Sequence, residues 1–456
     1  MKKLNDIDSI LKNQKDFFKS NITKEFQFRL NNLAKLKKII EKNEKTIFQG
    51  LKKDLGKSEF ESYSTEIGFV LNEIDFTIKR LKKWAKPKKV RGSIAAFKST
   101  NYIYPEPYGN TLIISPWNYP FQLSTLPLIG SLAAGNTAII KPSSTSVHTS
   151  KILENIINNN FPNLYIYVVT GEEGKSLLDK KFDYIFYTGS VSVGKLVMKK
   201  AAKHLTPITL ELGGKSPCIV DKEGDLELFA KRIVWGKFLN AGQTCVAPDY
   251  LLVQSSVKEE LIKYMIEYIE KFYGISIEDN NEFGRIINEK HFSRLVNLLD
   301  NGQIIYGGKY NKEKLYISPT LIDDIYWDDP IMQEEIFGPI FPILEYDNLD
   351  EAIEIINSHP KPLALYFFSY NDEKIEKIIN NTSYGGGCIN DTIMHLSNPH
   401  LPFGGIGNSG MGSYHGKSSF DTFTHYKSVL KKSNTFDPNF RYPPYKDKLK
   451  FIRRFF

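Results

Sequence analysis

The sequence has few cysteines, and none lies close to another along the chain. Among 456 residues only Cys218, Cys245 and Cys388 are cysteine, and no Cys-x-x-Cys pair occurs. This spacing excludes a disulfide framework and a cysteine-rich zinc site. Free thiols are typical of a reducing compartment, so we expect a cytoplasmic protein without a bound metal.

Long apolar segments that could cross a membrane are also lacking. Residues 107–140 carry no charged side chain, but prolines and glycines divide this stretch into short pieces. Such pieces would leave backbone groups without hydrogen bonds in lipid, so we expect buried strands and a helix of a soluble domain instead. Acidic residues follow the N-terminal lysines where a signal peptide needs an apolar run, which argues against export.

Charge of neither sign is in large excess. The chain has 60 basic and 52 acidic residues, a net charge of +8, with 41% hydrophobic and 25% charged residues. These values are typical of a globular protein, and no nucleic-acid-binding motif accompanies the basic residues. Residues 445–456 combine basic and aromatic side chains. Peripheral contact with an anionic membrane is one interpretation of this tail, and a disordered or subunit-packed tail is the other.

Short apolar runs alternate with helical patterns along the chain. The alternation predicts an α/β fold with a doubly wound parallel sheet. It resumes after residue 221, which predicts a second α/β domain, whereas residues after 391 suggest loops and an extended arm. The predicted strands are 111–115, 137–140, 165–169, 184–187, 208–210 and 217–220, and the predicted helices are 146–159, 174–179, 193–203, 226–238 and 259–272.

Three residues have the chemistry of a nucleophilic site. Cys245 follows a predicted helix in a loop, and a thiol becomes a strong nucleophile when its thiolate is stabilised. A single cysteine is more often a small core residue, and we interpret Cys218 and Cys388 in that way. Glu211 ends an apolar strand and can activate a water molecule. Asn118 lies between two prolines, where its amide can donate a hydrogen bond to an oxyanion.

Other residues indicate a ligand with phosphate or ribose groups. Gly189, Ser190 and Gly194 lie between a predicted strand and a helix, where backbone N–H groups can bind a phosphate. Their spacing fits a P-loop except at Leu196, which replaces the required Ser or Thr. Lys141 ends another predicted strand, where its amine can bind ribose or phosphate.

A second carboxylate, Glu335, is followed by the aromatic Phe337. Nothing in the spacing of Glu335 and Glu211 favours a glycosidase pair over two unrelated acids.

Six short motifs, taken in order, resemble the aldehyde dehydrogenase superfamily. Two longer stretches, 242–250 and 401–416, resemble its class 3 branch, which oxidises fatty or aromatic aldehydes, and the resemblance extends to Pro444. The six motifs are Pro116-Trp117-Asn118, Lys141-Pro142-Ser143, Thr188-Gly189-Ser190, 210–214, 242–245 and 335–339.

The resemblance implies a Rossmann-like NAD(P)-binding domain at 1–83 and 107–210 and a catalytic α/β domain at 211–391. It also implies a small β oligomerisation region at 84–106 and 392–440, followed by a tail at 441–456. The implied assembly is a homodimer.

The resemblance also implies a reaction, the NAD(P)-dependent oxidation of medium- or long-chain aliphatic or aromatic aldehydes to carboxylic acids. Cys245 would add to the aldehyde to form a thiohemiacetal, which becomes a thioester when hydride leaves. Asn118 and the backbone N–H of Cys245 would stabilise the oxyanion, and Glu211 would activate the hydrolytic water.

Four residues would bind the cofactor by the same resemblance. Glu335 would hold the nicotinamide ribose, Phe337 would pack near the nicotinamide, Lys141 would meet the adenine ribose and Ser190 the pyrophosphate. Class 3 members commonly carry Glu where this chain has Ser144. That Glu repels a 2′-phosphate, so Ser144 predicts that NADP is accepted as well as NAD.

The predicted substrate site is an apolar tunnel lined by Tyr63, Tyr119, Trp235 and residues 393–396. Two other functions stay open at this point. Cys245, Asn118 and Glu211 alone suffice for a cofactor-independent thiol esterase. A P-loop nucleotide hydrolase is the other, and Leu196 argues against it.

Overall fold

The computed structural model describes residues 7–93, 96–437, 439–446 and 448–453. The α-helices of this part of the chain are α1 Ile7–Lys19, α2 Phe26–Lys42, α3 Glu44–Leu55, α4 Glu59–Ser62, α5 Gly68–Trp84, α6 Gln122–Ala134, α7 Val147–Asn158, α8 Val191–Ala202, α9 Leu226–Phe238, α10 Lys258–Tyr273, α11 Glu289–Leu298, α12 Pro330–Gln333, α13 Leu349–Ser358, α14 Asp372–Asn381, α15 Gly416–Thr422 and α16 Lys448–Ile452.

The strands of the same residues alternate with these helices over most of the chain. They are β1 Lys88–Val90, β2 Ser99–Pro107, β3 Asn110–Ile114, β4 Thr137–Lys141, β5 Ile166–Val168, β6 Tyr184–Thr188, β7 Ile208–Glu211, β8 Pro217–Val220, β9 Tyr250–Gln254, β10 Gln303–Tyr306, β11 Tyr310–Asn311, β12 Tyr316–Ile317, β13 Thr320–Asp323, β14 Ile340–Tyr346, β15 Ala364–Phe368, β16 Gly386–Ile389, β17 Gly410–Met411 and β18 Thr424–Lys432.

The first sheet has the strand order β17-β7-β6-β3-β4-β5. Strands β3 to β7 are parallel, and β17 is antiparallel to β7. Two apolar cores flank the sheet, one containing α1 and α8 residues and the other α2, α5, α6 and α7 residues. The predicted doubly wound α/β fold is therefore confirmed. The strand order reverses between β3 and β6, because β4 and β5 lie on one side of β3, and β6 and β7 lie on the other. Ligands bind at such switch points.

The second sheet has the order β10-β13-β14-β9-β8-β15-β16 and is parallel except for the pair β10 and β13. A third, antiparallel sheet has the order β1-β2-β18. It joins two segments that are far apart in sequence, because β18 pairs with β2 along its whole length, from Thr424 opposite Pro107 to Lys432 opposite Ser99.

The strand predictions agree with the structure to within one residue at each end. Residues 174–179, a predicted helix, lie in the 3-10 helix Gly171–Asp179. The segment after residue 391, predicted as loops and an extended arm, also contains the helix α15 and the strands β17 and β18. Strand β18 is almost entirely exposed, so its sequence lacks the apolar pattern of a buried strand.

The uncharged stretch 107–140 forms β3, α6 and β4 inside the first domain, as predicted. Every residue of α6 is buried, and the helix ends at Gly135 with a left-handed φ of 100°. Asn136 then accepts a hydrogen bond from the N–H of Gly109 and donates to the carbonyls of Ser131 and Phe423. None of the helices in the described ranges has the length and apolar character that a bilayer span needs.

The domain limits implied by the resemblance stay a prediction. Two strand contacts concern these limits. Glu211, the first residue of the implied catalytic domain, ends β7 of the first sheet. Strand β17, from the implied oligomerisation region, pairs with β7 in the same sheet.

Candidate active site

The three predicted chemical residues converge at the carboxyl edge of the first sheet. Asn118 lies in the loop after β3, Glu211 ends β7, and Cys245 follows α9 from the second domain. The approach to Cys245 is a tight turn in which Asn240 and Ala241 have left-handed φ angles of 54° and 52°.

Gly242 completes this turn with a φ of 73°. A Cβ atom at Gly242 would lie 2.2 Å from the carbonyl oxygen of Gly338. Glycine is therefore required both by the backbone conformation and by the close approach of the segment that carries Glu335.

Hydrogen bonds tie the Asn118 loop to the Cys245 loop. The Nδ2 of Asn118 donates to the carbonyl of Gln243 at 3.1 Å, and the Nδ2 of Asn240 donates to the carbonyl of Asn118 at 2.9 Å. The hydroxyls of Tyr119 and Thr244 are 2.6 Å apart. A side-chain amide has two N–H groups, so Asn118 keeps one that can serve an oxyanion.

Two cavities meet at the thiol. The first, the cofactor-side cavity, has a volume of about 230 Å³ and contains seven of the predicted site residues in its wall: Asn118, Gly189, Ser190, Glu211, Cys245, Glu335 and Phe337. The second, the apolar tunnel, has a volume of about 290 Å³. Cys245 lines both cavities, so a substrate in the tunnel and a ligand in the cofactor-side cavity reach the same sulfur from two sides.

The wall of the apolar tunnel includes Tyr119, Trp235 and residues 393, 394 and 396 of the predicted set. The prediction for Tyr63 was wrong. Tyr63 begins a π-helical turn, Tyr63–Ile67, where its ring packs against Gly68, and Ser64 and Thr65 face the tunnel instead.

The electrostatics of the site keep the thiol protonated. Burial and, to a lesser extent, the charges of Glu335 and Glu211 raise the pKa of Cys245 to about 12, while the N–H groups of Cys245 and Val246 oppose the shift. Burial also holds the pKa of Glu211 well above its usual value, and neither of its oxygens has a hydrogen-bond partner. A carboxylate whose pKa is raised in this way is a stronger base than an exposed one, which suits it to accept a proton.

Glu335 lines the cofactor-side cavity together with Glu211. Burial and the charge of Asp249 raise its pKa to about 8, and the N–H of Gly214 opposes the shift. Its Oε2 would lie 2.0 Å from a Cβ atom at Gly213, so only glycine leaves room for the carboxylate.

The backbone around Glu335 is held by charged side chains. Asp249 accepts the N–H of Ile336 at 2.9 Å and the amine of Lys215 at 2.6 Å. Arg294 donates to the carbonyls of Glu335 and Ile336.

A larger cleft of about 680 Å³ adjoins the cofactor-side cavity, and both are lined by Ser190, Gly213 and Glu335. Ser190 is the N-cap residue of α8, and its side chain makes no capping hydrogen bond. The first N–H groups of α8 therefore face the cleft without a side-chain acceptor, an arrangement that fits a phosphate group.

The other predicted cofactor residues lie outside both of these cavities. Lys141, at the end of β4, is half-buried, packs on Gly174 and has a pKa lowered by burial. Ser144 is exposed in the loop that follows. Gly194 lies within α8, where a Cβ atom would be 2.7 Å from Leu212, so the structure gives it a packing role between helix and strand end.

Several wall residues were not found from the sequence. Thr188 is buried with an unpartnered hydroxyl, and His291 and Arg294 lie three positions apart on α11 and face the cofactor-side cavity. Burial lowers the pKa of His291, with smaller contributions from Arg294 and Lys290. The spacing of His291 and Arg294 places them on one helix face, but the sequence does not say what that face covers.

The chain is similar to known proteins over nearly its whole length. Residues 2–429 match the model of the aldehyde dehydrogenase family. A Staphylococcus aureus protein named 4,4'-diaponeurosporen-aldehyde dehydrogenase is 50% identical, with 99% of this chain and 100% of that protein aligned. The mouse protein named aldehyde dehydrogenase, dimeric NADP-preferring, is 47% identical over 97% of this chain and 98% of its own length.

A solved structure described as the substrate-bound state of Staphylococcus aureus AldH superposes with a TM-score of 0.97 at 49% identity. The match covers 99% of this chain and 100% of that one.

The raised pKa of Cys245 predicts how the rate of its alkylation depends on pH. Alkylation of Cys245 by iodoacetamide should rise about tenfold per pH unit from neutral pH to about pH 10 without a plateau, because only the thiolate reacts and the pKa is raised. Glu335→Gln removes a nearby negative charge, lowers the pKa of the thiol and should speed alkylation severalfold at about pH 8.5.

Glu334→Gln is the matched control, since Glu334 lines the same cavity but does not contribute to the shift of the thiol. Mass spectrometry of the Cys245 peptide gives the rate. A plateau below about pH 9, or equal rates for the two variants, would contradict the argument.

Proposed function

The chain belongs to the aldehyde dehydrogenase family and is an NAD(P)-dependent aldehyde dehydrogenase, and we propose that Cys245, Asn118 and Glu211 perform its chemistry. The observation that carries this assignment is the position of the Cys245 thiol between the apolar tunnel and the cofactor-side cavity.

In the first half of the reaction the sulfur adds to the aldehyde carbonyl. Its proton passes to a buried carboxylate, for which Glu211 is suited because neither of its oxygens has a partner. The carbonyl oxygen becomes an oxyanion, and the second N–H of Asn118 and the backbone N–H of Cys245 donate to it. A nicotinamide cofactor held by Glu335 and Phe337 would supply the acceptor for the hydride of the thiohemiacetal carbon, and Cys245 would then carry a thioester.

In the second half water hydrolyses the thioester. Glu211 first releases to solvent the proton that it took from the thiol. It then takes a proton from the water as the water attacks the acyl carbon and passes this proton to the leaving Cys245 sulfur, so that the thiol is restored as the carboxylic acid is released. Burial supports this role because the raised pKa of Glu211 makes the carboxylate a stronger base than an exposed one.

The cofactor is assigned to the cleft beside the thiol. The N–H groups at the start of α8, with Gly189 and Ser190, suit the pyrophosphate, and Glu335 and Phe337 suit the nicotinamide ribose and ring. Lys141 is assigned to the adenosine ribose. Exposed Ser144 supports acceptance of NADP, because no carboxylate stands there to repel a 2′-phosphate.

The substrate class follows from the tunnel wall. Its side chains are mainly aliphatic and aromatic, including Trp235, Phe403 and Tyr414. An apolar tunnel favours medium- or long-chain aliphatic and aromatic aldehydes because their transfer from water gains about 0.8 kcal/mol per buried methylene.

The assembly is proposed to be a homodimer in the cytoplasm. Strand β18 is the outer strand of the third sheet, with one edge unpaired among the described residues, and it exposes 53% of Leu430. Such an edge is a template for pairing with a second copy. The tail at 441–456, of which residues 447 and 454–456 lie outside the described residues, is a second contact candidate, either with a subunit or with an anionic membrane surface.

The reaction is tested by NAD(P)H formation with aldehydes from acetaldehyde to hexadecanal and with benzaldehyde. We expect kcat/KM to rise with chain length, and Cys245→Ser to abolish turnover while cofactor binding, followed by nicotinamide fluorescence, is kept. Cys218→Ser is the matched control and should retain turnover. Ester cleavage without NAD(P)H formation would favour the thiol esterase, and turnover by Cys245→Ser would place the nucleophile elsewhere.

Cofactor choice is tested at Ser144. Ser144→Glu should raise the ratio of kcat/KM with NAD to kcat/KM with NADP at least about tenfold, since a carboxylate would repel the 2′-phosphate by about 1.4 kcal/mol or more. Ser144→Gln has the same size without the charge and should change the ratio much less. Equal effects of Gln and Glu would show that size, and not charge, acts at this position.

The dimer is tested at the exposed edge by sedimentation velocity. Leu430→Glu should shift the protein from dimer towards monomer because it places a charge in the contact. Leu205→Glu replaces an exposed leucine that lies outside both the third sheet and the tail, and it should leave the dimer intact. A monomeric wild type, or the same shift in both variants, would contradict the proposed contact.

A further inference from the structure

A buried ion pair lies behind the active site, outside both cavities. Lys57 and Glu66 have side chains with no exposed surface, and their charged atoms are 2.7 Å apart. Neither residue lines the cofactor-side cavity or the apolar tunnel. A buried pair of this kind contributes little net stability compared with well-packed apolar side chains. Its contacts therefore need an explanation beyond the stability of the fold.

The side chains of Lys57 and Glu66 form hydrogen bonds with the backbone of one segment, the loop between β3 and α6 and the first residue of α6. The amine of Lys57 donates to the carbonyl of Asn118 at 3.1 Å and lies 3.8 Å from the centre of the Tyr119 ring. The Oε2 of Glu66 accepts the N–H groups of Phe121 at 2.9 Å and Gln122 at 3.1 Å.

The two N–H groups that Glu66 accepts belong to the start of α6. Phe121 is the N-cap of this helix and has no side-chain cap of its own. Glu66 therefore supplies the cap from a distant segment, and the helix dipole stabilises its negative charge. The pair thus fixes the loop at both ends, at the Asn118 carbonyl and at the first turn of α6.

The contacts continue to the nucleophile. The carbonyl of Asn118 accepts a second hydrogen bond from Asn240, and Asn240 also donates to the carbonyl of Gln243 at 3.1 Å. The Asn118 side chain donates to the same Gln243 carbonyl. A chain of buried hydrogen bonds therefore runs from Lys57 to the turn that carries Cys245.

We propose that Lys57 and Glu66 are positioning residues for aldehyde oxidation, which hold the Asn118 amide at the distance from the Cys245 sulfur that the oxyanion requires. The inference rests on the proposed role of Asn118 as oxyanion donor. An error of about 1 Å in such a donor can cost about a hundredfold in rate, so a rigid support behind the loop matters to the reaction.

The experiment uses a variant that removes both charges. Lys57→Met/Glu66→Met removes both charges of the pair, and the neighbouring buried Glu61, whose pKa burial raises to about 7, can stay protonated. Loss of the cap on α6 should lower the melting temperature by a few degrees, so the rates are measured well below the unfolding transition. The single-turnover rate of NAD(P)H formation at saturating aldehyde should fall between about tenfold and a hundredfold, while the Kd for NAD(P) is unchanged. A rate equal to that of the wild type overturns the proposal.

Arg29→Met is the matched control. Arg29 is a buried cation at the opposite end of α6, where it donates to the carbonyls of Thr23, Lys24 and Ala133. Its loss should lower the melting temperature and leave the single-turnover rate of the folded protein unchanged. An equal loss of rate in Arg29→Met would mean that any damage to α6 slows the reaction, which also overturns the proposal.

A double-mutant cycle separates positioning from a general structural effect. Asn118→Ala should slow the single turnover, and adding Lys57→Met/Glu66→Met to it should slow it less than about twofold further, because the group being positioned is gone. Full additivity overturns the proposal and leaves the role of Asn118 standing. A wild-type rate for Asn118→Ala would instead refute the oxyanion assignment, and the positioning role with it.

Discussion

The site depends on the hydrogen bonds between the loop after β3 and the turn before Cys245. The side-chain amides of Asn118 and Asn240 both donate to the carbonyl of Gln243, and that of Asn240 also donates to the carbonyl of Asn118, at distances of 2.9 to 3.1 Å. The two loops come from different sheets, so this small group of bonds sets the position of the thiol relative to the first sheet. The left-handed turn at Asn240 to Gly242, the carboxylate of Glu211 and both cavities are arranged around it.

Close backbone approaches bring the remaining groups within reach of the thiol. Gly242 leaves room for the carbonyl of Gly338, and Gly213 leaves room for the carboxylate of Glu335. A side chain at either position would separate the segment that carries Glu335 from the nucleophile. The same crowding excludes water, which is why the pKa values of Cys245, Glu211 and Glu335 are all raised.

The raised pKa of the Cys245 thiol favours its protonated form. At neutral pH the sulfur carries its proton, and burial and two carboxyl groups hinder its loss. Reaction then requires a carboxylate that accepts this proton and an oxyanion site that stabilises the charge as it moves to the substrate oxygen. In the proposed mechanism these tasks fall to different segments, with Glu211 on the first sheet and Asn118 in a loop that contacts Lys57 and Glu66.

The sequence alone determined the α/β class, the limits of six strands and the motifs that carry Cys245, Glu211 and Asn118, because apolar periodicity and short loop motifs are local properties. It did not reveal that Gly194 packs on Leu212, that Tyr63 turns away from the tunnel or that β18 is an exposed strand. Nor did it indicate Arg294, or the buried pair of Lys57 and Glu66. The partners of these residues lie far away in the chain, and only the folded arrangement of the two sheets brings them together. Contacts of that kind leave no periodic signal, so tertiary structure alone decided them.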